Sequence, residues 1–166
     1  MATDTEAAKD LLAGYLGTAL GAAGDSKTEV AKQRTRVFRW LKATADSMAS
    51  DTTAETLGFS VPYTGRVTKI YITTDAAVTG HASNHATITA NKLDAAAANT
   101  AVLGTYTTDS DVVGQGSLAE FIRKEFALTA ANLDVVAGGC INFAIAKGGS
   151  GVVIPITEIQ VWIEDV

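Results

Sequence analysis

Two runs near the end of the chain alternate with a period of two. Ile141, Phe143 and Ile145 alternate with Asn142, Ala144 and Ala146, and Ile159, Val161 and Ile163 alternate with Glu158, Gln160, Trp162 and Glu164. Successive side chains of a strand point to opposite faces, so this pattern predicts strands with one face in a core and the other in water. Gly148, Gly149, Ser150 and Gly151 lie between the runs and reverse the chain at little conformational cost. The spacing predicts a β-hairpin over 140–166. Pro155 falls near the start of its second strand, where a missing N–H is tolerated. The closing strand is expected to be locked into a sheet that the preceding residues build.

The same period recurs upstream. Residues 66–74 are rich in β-branched and aromatic side chains and read as a strand. Residues 84–93 and 101–107 read as further strands, and 59–61 as a short one running into a turn at Pro62 and Gly65. Residues 118–129 fit either a kinked strand or a short helix. The stretches 43–58, 76–83 and 109–117 are polar or glycine-rich and read as loops. Short strands at intervals of about ten residues argue for an all-β sandwich or barrel. With 166 residues the chain is long enough for one domain with a real core plus an appendage. The division expected is an arm over 1–34 and a β-sandwich over 35–166.

The arm has a pattern of its own. Leu11, Leu12, Tyr15, Leu16 and Leu20 form a helical stripe, and Gly14, Gly17 and Gly21 share another face. Each glycine weakens a helix by about 1 kcal/mol relative to alanine. Three on one face therefore suggest close approach of another surface. An arm that orders only on contact is the alternative. The apolar run after Leu11 is reminiscent of a secretory signal, but Asp4, Glu6 and Asp10 outnumber Lys9 where such a signal is positive. No run of about eighteen apolar residues exists, so no membrane-spanning helix is expected.

Charge is distributed unevenly. Residues 27–42 hold Lys27, Lys32, Arg34, Arg36, Arg39 and Lys42 against Glu29 alone, a local charge of +5. Residues 1–26 carry one base and four acids, and residues 43–166 carry six bases and thirteen acids. A basic belt on an acidic protein fits docking to an acidic protein surface. It also fits a solvated strand face that balances charge. Nucleic acid is not expected as a partner, because no binding motif accompanies the belt.

No constellation for catalysis stands out. His81 and His85 are four apart, but their surroundings read as loop and strand, and no third ligand completes a zinc set. Asp109 and Asp111 are neighbouring carboxylates in a glycine-rich loop and read as solvated. There is no nucleophile elbow, phosphate loop or dinucleotide fingerprint. Cys140, the single cysteine, lies in a strand pattern and reads as a small buried apolar residue. No cofactor, metal or catalytic residue is expected.

The run from Gly65 onward resembles the jelly-roll decoration (cement) proteins on the heads of tailed bacteriophages. The resemblance is carried by residues 65–72, the Ala86-Thr87-Ile88-Thr89 strand, the turn over 148–155 and the Ile159-Gln160-Val161-Trp162-Ile163 strand. It implies a jelly-roll-like sandwich behind an N-terminal helical or extended arm. It also implies a non-enzymatic homotrimer on the outer capsid surface of the virion, with the major capsid protein as partner. In such proteins an N-terminal segment makes the capsid contact, which falls here on the arm and the belt. A tail-spike or fibre domain, or a carbohydrate-binding sandwich, is the alternative class. Its stacking residues would come from Trp162, Tyr71 and Tyr106. A small hydrolase is a third class.

Overall fold

The computed structural model describes residues 35–42, 46–47, 54–94, 96, 100–150 and 152–165. The helical stripe, its glycine face and the belt residues Lys27, Lys32 and Arg34 lie outside the described residues. The described chain is all-β, as the alternation predicts. Its strands are β1 (Thr35–Lys42), β2 (Asp46–Ser47), β3 (Ala54–Ser60), β4 (Gly65–Thr74), β5 (His85–Leu93) and β6 (Thr100–Thr107). They continue with β7 (Lys124–Glu125), β8 (Ala127–Leu128), β9 (Asp134–Val135), β10 (Cys140–Gly148), β11 (Val153–Ile154) and β12 (Thr157–Asp165).

Ten of the strands form two antiparallel sheets of five, and β2 and β11 pair as a short two-stranded sheet. One sheet of five runs β1-β12-β4-β7, with β9 also on β4, and the other runs β3-β10-β5-β6-β8. The β5–β6 hairpin stays within one sheet, the chain from β6 visits the first sheet through β7 and β9 before returning as β10, and the other long strands are joined by connections that cross from one sheet to the other. That order is the double Greek key of a jelly-roll sandwich.

Period-two alternation builds the core from both sheets. Val67, Ile70, Ile72, Ile159, Val161 and Ile163 point inward from the first sheet, and Ile88, Leu103, Tyr106, Ile141, Phe143 and Ile145 from the second. Each of these side chains is at most 2% exposed. Phe126 links β7 to β8. Its N–H donates to the Ile70 carbonyl, and its ring lies 6.1 Å from that of Tyr106.

Two expectations need correction. The closing residues do not form a hairpin. β10 pairs with β3 and β5, whereas β12 pairs with β1 and β4, so the glycine-rich link and Pro155 span the two layers. Both strands are already flanked on each side within their own sheets, which leaves neither an edge for the other. The stretch 43–58 is not all loop either. β2 and the first five residues of β3 fall within it, the last two of β3 belonging to the short strand read over 59–61, and β3 forms the edge of the second sheet on β10. An edge strand needs less apolar content than a central one, so its signal is weak. Residues 118–129 resolve into β7 and β8, two short pieces that visit both sheets.

Candidate functional site

The site is built on β1, the outermost strand of its sheet. β1 carries the part of the basic belt that the structure describes. The strand alternates: Phe38 and Trp40 turn toward the second sheet, while Val37 and Leu41 are 44% and 63% exposed on the other face. Phe38 stacks on Phe59 at 4.8 Å between centroids, and Trp40 lies 4.9 Å from Phe143. These contacts anchor β1 to the sandwich through its aromatic side.

The same alternation separates the arginines. Arg36 shares the aromatic side. Its guanidinium carbon lies 4.4 Å from the centre of the Tyr63 ring, and its Nη2 is 3.5 Å from Asp165. Burial and then the Asp165 carboxylate raise the Tyr63 hydroxyl above the ordinary tyrosine range, against the pull of Arg36. Arg39 lies on the outer face, with its Nε 3.4 Å from Glu158. The backbone of Lys42 ends the strand, paired with Thr157. Arg36 and Arg39 therefore frame the strand from both faces instead of forming one row.

Strand register extends the outer face beyond the belt. Arg39 stands opposite Gln160, Gln160 opposite Tyr71, and Tyr71 opposite Glu125. In the next row Val37 stands opposite Trp162, and Trp162 opposite Lys69. Opposed residues on one face are in contact range. The Tyr71 and Trp162 rings meet edge to face at 5.9 Å. The Arg123 guanidinium carbon and the Lys69 ammonium lie 4.9 and 5.7 Å from the centre of the Tyr71 ring. A hydrogen bond with Tyr71, its charge, and then Glu125 hold the Lys69 pKa above the usual lysine range. Gln160 donates to Glu158 at 3.1 Å, next to the Arg39 contact.

The result is a face of aromatic and aliphatic side chains on which Arg39, Lys69 and Arg123 are interleaved with the carboxylates of Glu158 and Glu125. Tyrosine, tryptophan and arginine are the residue types that anchor protein interfaces. Sequence reading found Arg36, Arg39 and the aromatic candidates Trp162 and Tyr71. It missed Lys69 and Arg123, which lie 30 and 84 residues from Arg39; Lys69 joins it through sheet register and Arg123, just before β7, through its contact with the Tyr71 ring. Period-two parity was the available signal: Tyr71 and Lys69 share one parity of β4, opposite to buried Ile70 and Ile72.

The third aromatic candidate belongs elsewhere. Tyr106 is fully buried, and its hydroxyl donates to the Gly116 carbonyl at 3.0 Å, so it takes no part in an exposed stacking surface. The histidines organise a loop. His81 Nδ1 accepts the N–H groups of Ser83 and Asn84, and His85 Nδ1 lies 3.2 Å from the Ala82 carbonyl. Among the described residues no three metal-ligating side chains cluster. Asp109 caps its own loop by accepting the Asp111 N–H at 2.9 Å. Cys140 is half-buried and lines a cavity of about 210 Å³ at the opposite end of the sandwich, with Val61, Val135 and Val136.

No protein-family model matches the sequence, and no curated protein matches it.

Proposed function

We propose that the protein is a capsid decoration (cement) protein. It is a structural component of a virus particle that binds the outer surface of a phage head as a trimer and stabilises it. The major capsid protein is its partner. The observation that carries the reading is the β1 edge and outer face, where arginine, lysine and aromatic side chains gather on the jelly roll. Arg36, Arg39, Lys69 and Arg123 lie on or beside it. Asp165 and Glu158 hold the two arginines in exposed ion pairs, so an acidic shell would engage them by exchanging those pairs. Jelly-roll order and the resemblance of residues 65–166 to phage cement proteins support the same reading. Binding would stabilise both partners by mass action.

The test is binding of the purified protein to phage shells that lack it. The reading expects saturable uptake that weakens with added salt, as contacts between exposed charges do. It also expects uptake to be lost on Arg39→Glu and on Lys69→Glu. Uptake indifferent to both variants contradicts the docking face.

One observation favours a second reading. The Tyr71–Trp162 corner sits beside Gln160 and Glu158, an aromatic wall with amide and carboxylate groups next to it. A single sugar ring fits that chemistry. A protein that ignores shells and is retained on a glycan array, with retention lost on Trp162→Ala, would establish this reading instead.

A further inference from the structure

β1 has a property that its side chains alone do not express. It lies at the edge of its sheet, with β12 on one side and, among the described residues, no strand on the other. Its 8 residues pair with β12 in unbroken register. The β12–β4, β10–β3 and β5–β6 pairs each contain a register shift. β1 contains no proline. An unbulged edge of this length leaves a row of N–H and C=O groups pointing outward in the plane of the sheet. Folded proteins usually shorten, bulge or cover such an edge. The other edges here follow that habit: β7, β8 and β9 have 2 residues each, and β3 carries a shift.

The flank beneath the edge is also incompletely closed. Phe38, Trp40 and Phe59 pack against the core but are only partly buried. A strand added outside β1 would extend the sheet and cover this seam. Aromatic side chains of this kind bury about 150–250 Å² each when fully enclosed.

Side-chain charge selects the kind of strand. The side chains of Arg36 and Arg39 are 48% and 70% exposed and project to opposite faces. Pairing β1 with β1 of a second copy would bring like charges together, which is destabilising. An acidic strand meets an arginine on each face. We propose that β1 is an augmentation edge that accepts an extended acidic segment of the partner protein as an additional strand. The partner's identity as a capsid subunit rests on the function proposed above; the edge and its charge preference do not.

The experiment is residue-resolved amide hydrogen exchange on the full chain. The probes are a synthetic 8-residue peptide of Val and Thr that carries two Glu three positions apart, so that one falls on each face opposite Arg36 and Arg39, and its counterpart with Lys at both positions. The acidic peptide is expected to slow the outward-facing amides of 35–42 by about tenfold or more, in alternate positions, while the lysine peptide does not. The Arg36→Glu/Arg39→Glu variant is expected to reverse that preference. No protection of β1 by the acidic peptide overturns the proposal, as does protection confined to β4 and β12, which would indicate contact with the sheet face alone. Alternate protection in β1 with no uptake on shells leaves the edge standing and removes the capsid reading. Uptake on shells without protection of β1 does the reverse.

Discussion

Tyr106 shows what one buried polar group asks of its surroundings. Burial pushes its hydroxyl up to about 12 from 10.0. Between those values the folded chain keeps a proton that the unfolded chain has released. The resulting stabilisation is complete below pH 10 and is lost as pH rises toward 12. The denaturant midpoint is expected to fall across that window, and Tyr106→Phe is expected to abolish this part of the fall. At neutral pH the same variant should cost about 1 kcal/mol, because the Gly116 carbonyl loses its donor. Phe143 is a larger commitment. It is 0% exposed and supports Trp40, so Phe143→Ala is expected to cost about 3–5 kcal/mol by denaturant unfolding. Arg39 is the contrasting case. Its contact with Glu158 is exposed, and Arg39→Glu should change stability by less than about 1 kcal/mol while abolishing uptake on shells. Unfolding of that variant would show that Arg39 holds the sheet together instead of docking it.

Among the elements, alternation was legible and partnership was not. The patterns over 66–74, 84–93, 101–107 and the two closing runs identify β4, β5, β6, β10 and β12, because a half-buried strand must alternate. Alternation says which side chains face the core. It does not say which strand lies alongside, and a glycine-rich link serves a hairpin and a crossing between sheets equally well. That is why β10 and β12 read as neighbours although they lie in different layers. β3 was hidden for a different reason: it lies at an edge, where little apolar surface is needed. Its one exacting position is Gly58, where an added Cβ would fall on the Ile141 carbonyl, next to the register shift in β10. Gly58→Ala is therefore expected to cost about 1–3 kcal/mol, read from the denaturant midpoint. A neutral result would mean that β3 shifts freely along β10.

For the whole molecule, the sandwich class followed from strand spacing, and the candidate surface followed only from the assembled sheet. Arg36 and Arg39 stood out in the sequence as charge. Lys69, Tyr71 and Trp162 become one surface because β1, β12 and β4 lie side by side in a fixed register, and Arg123 joins them through the Tyr71 ring. No local spacing encodes that proximity. The proposed role requires the protein to coat a virus shell. Its most direct test is the copy number of the protein in purified phage particles, measured by quantitative mass spectrometry against the major capsid protein. A symmetric decoration layer predicts about one copy for every one to three capsid subunits. A handful of copies per particle, or none, would contradict it.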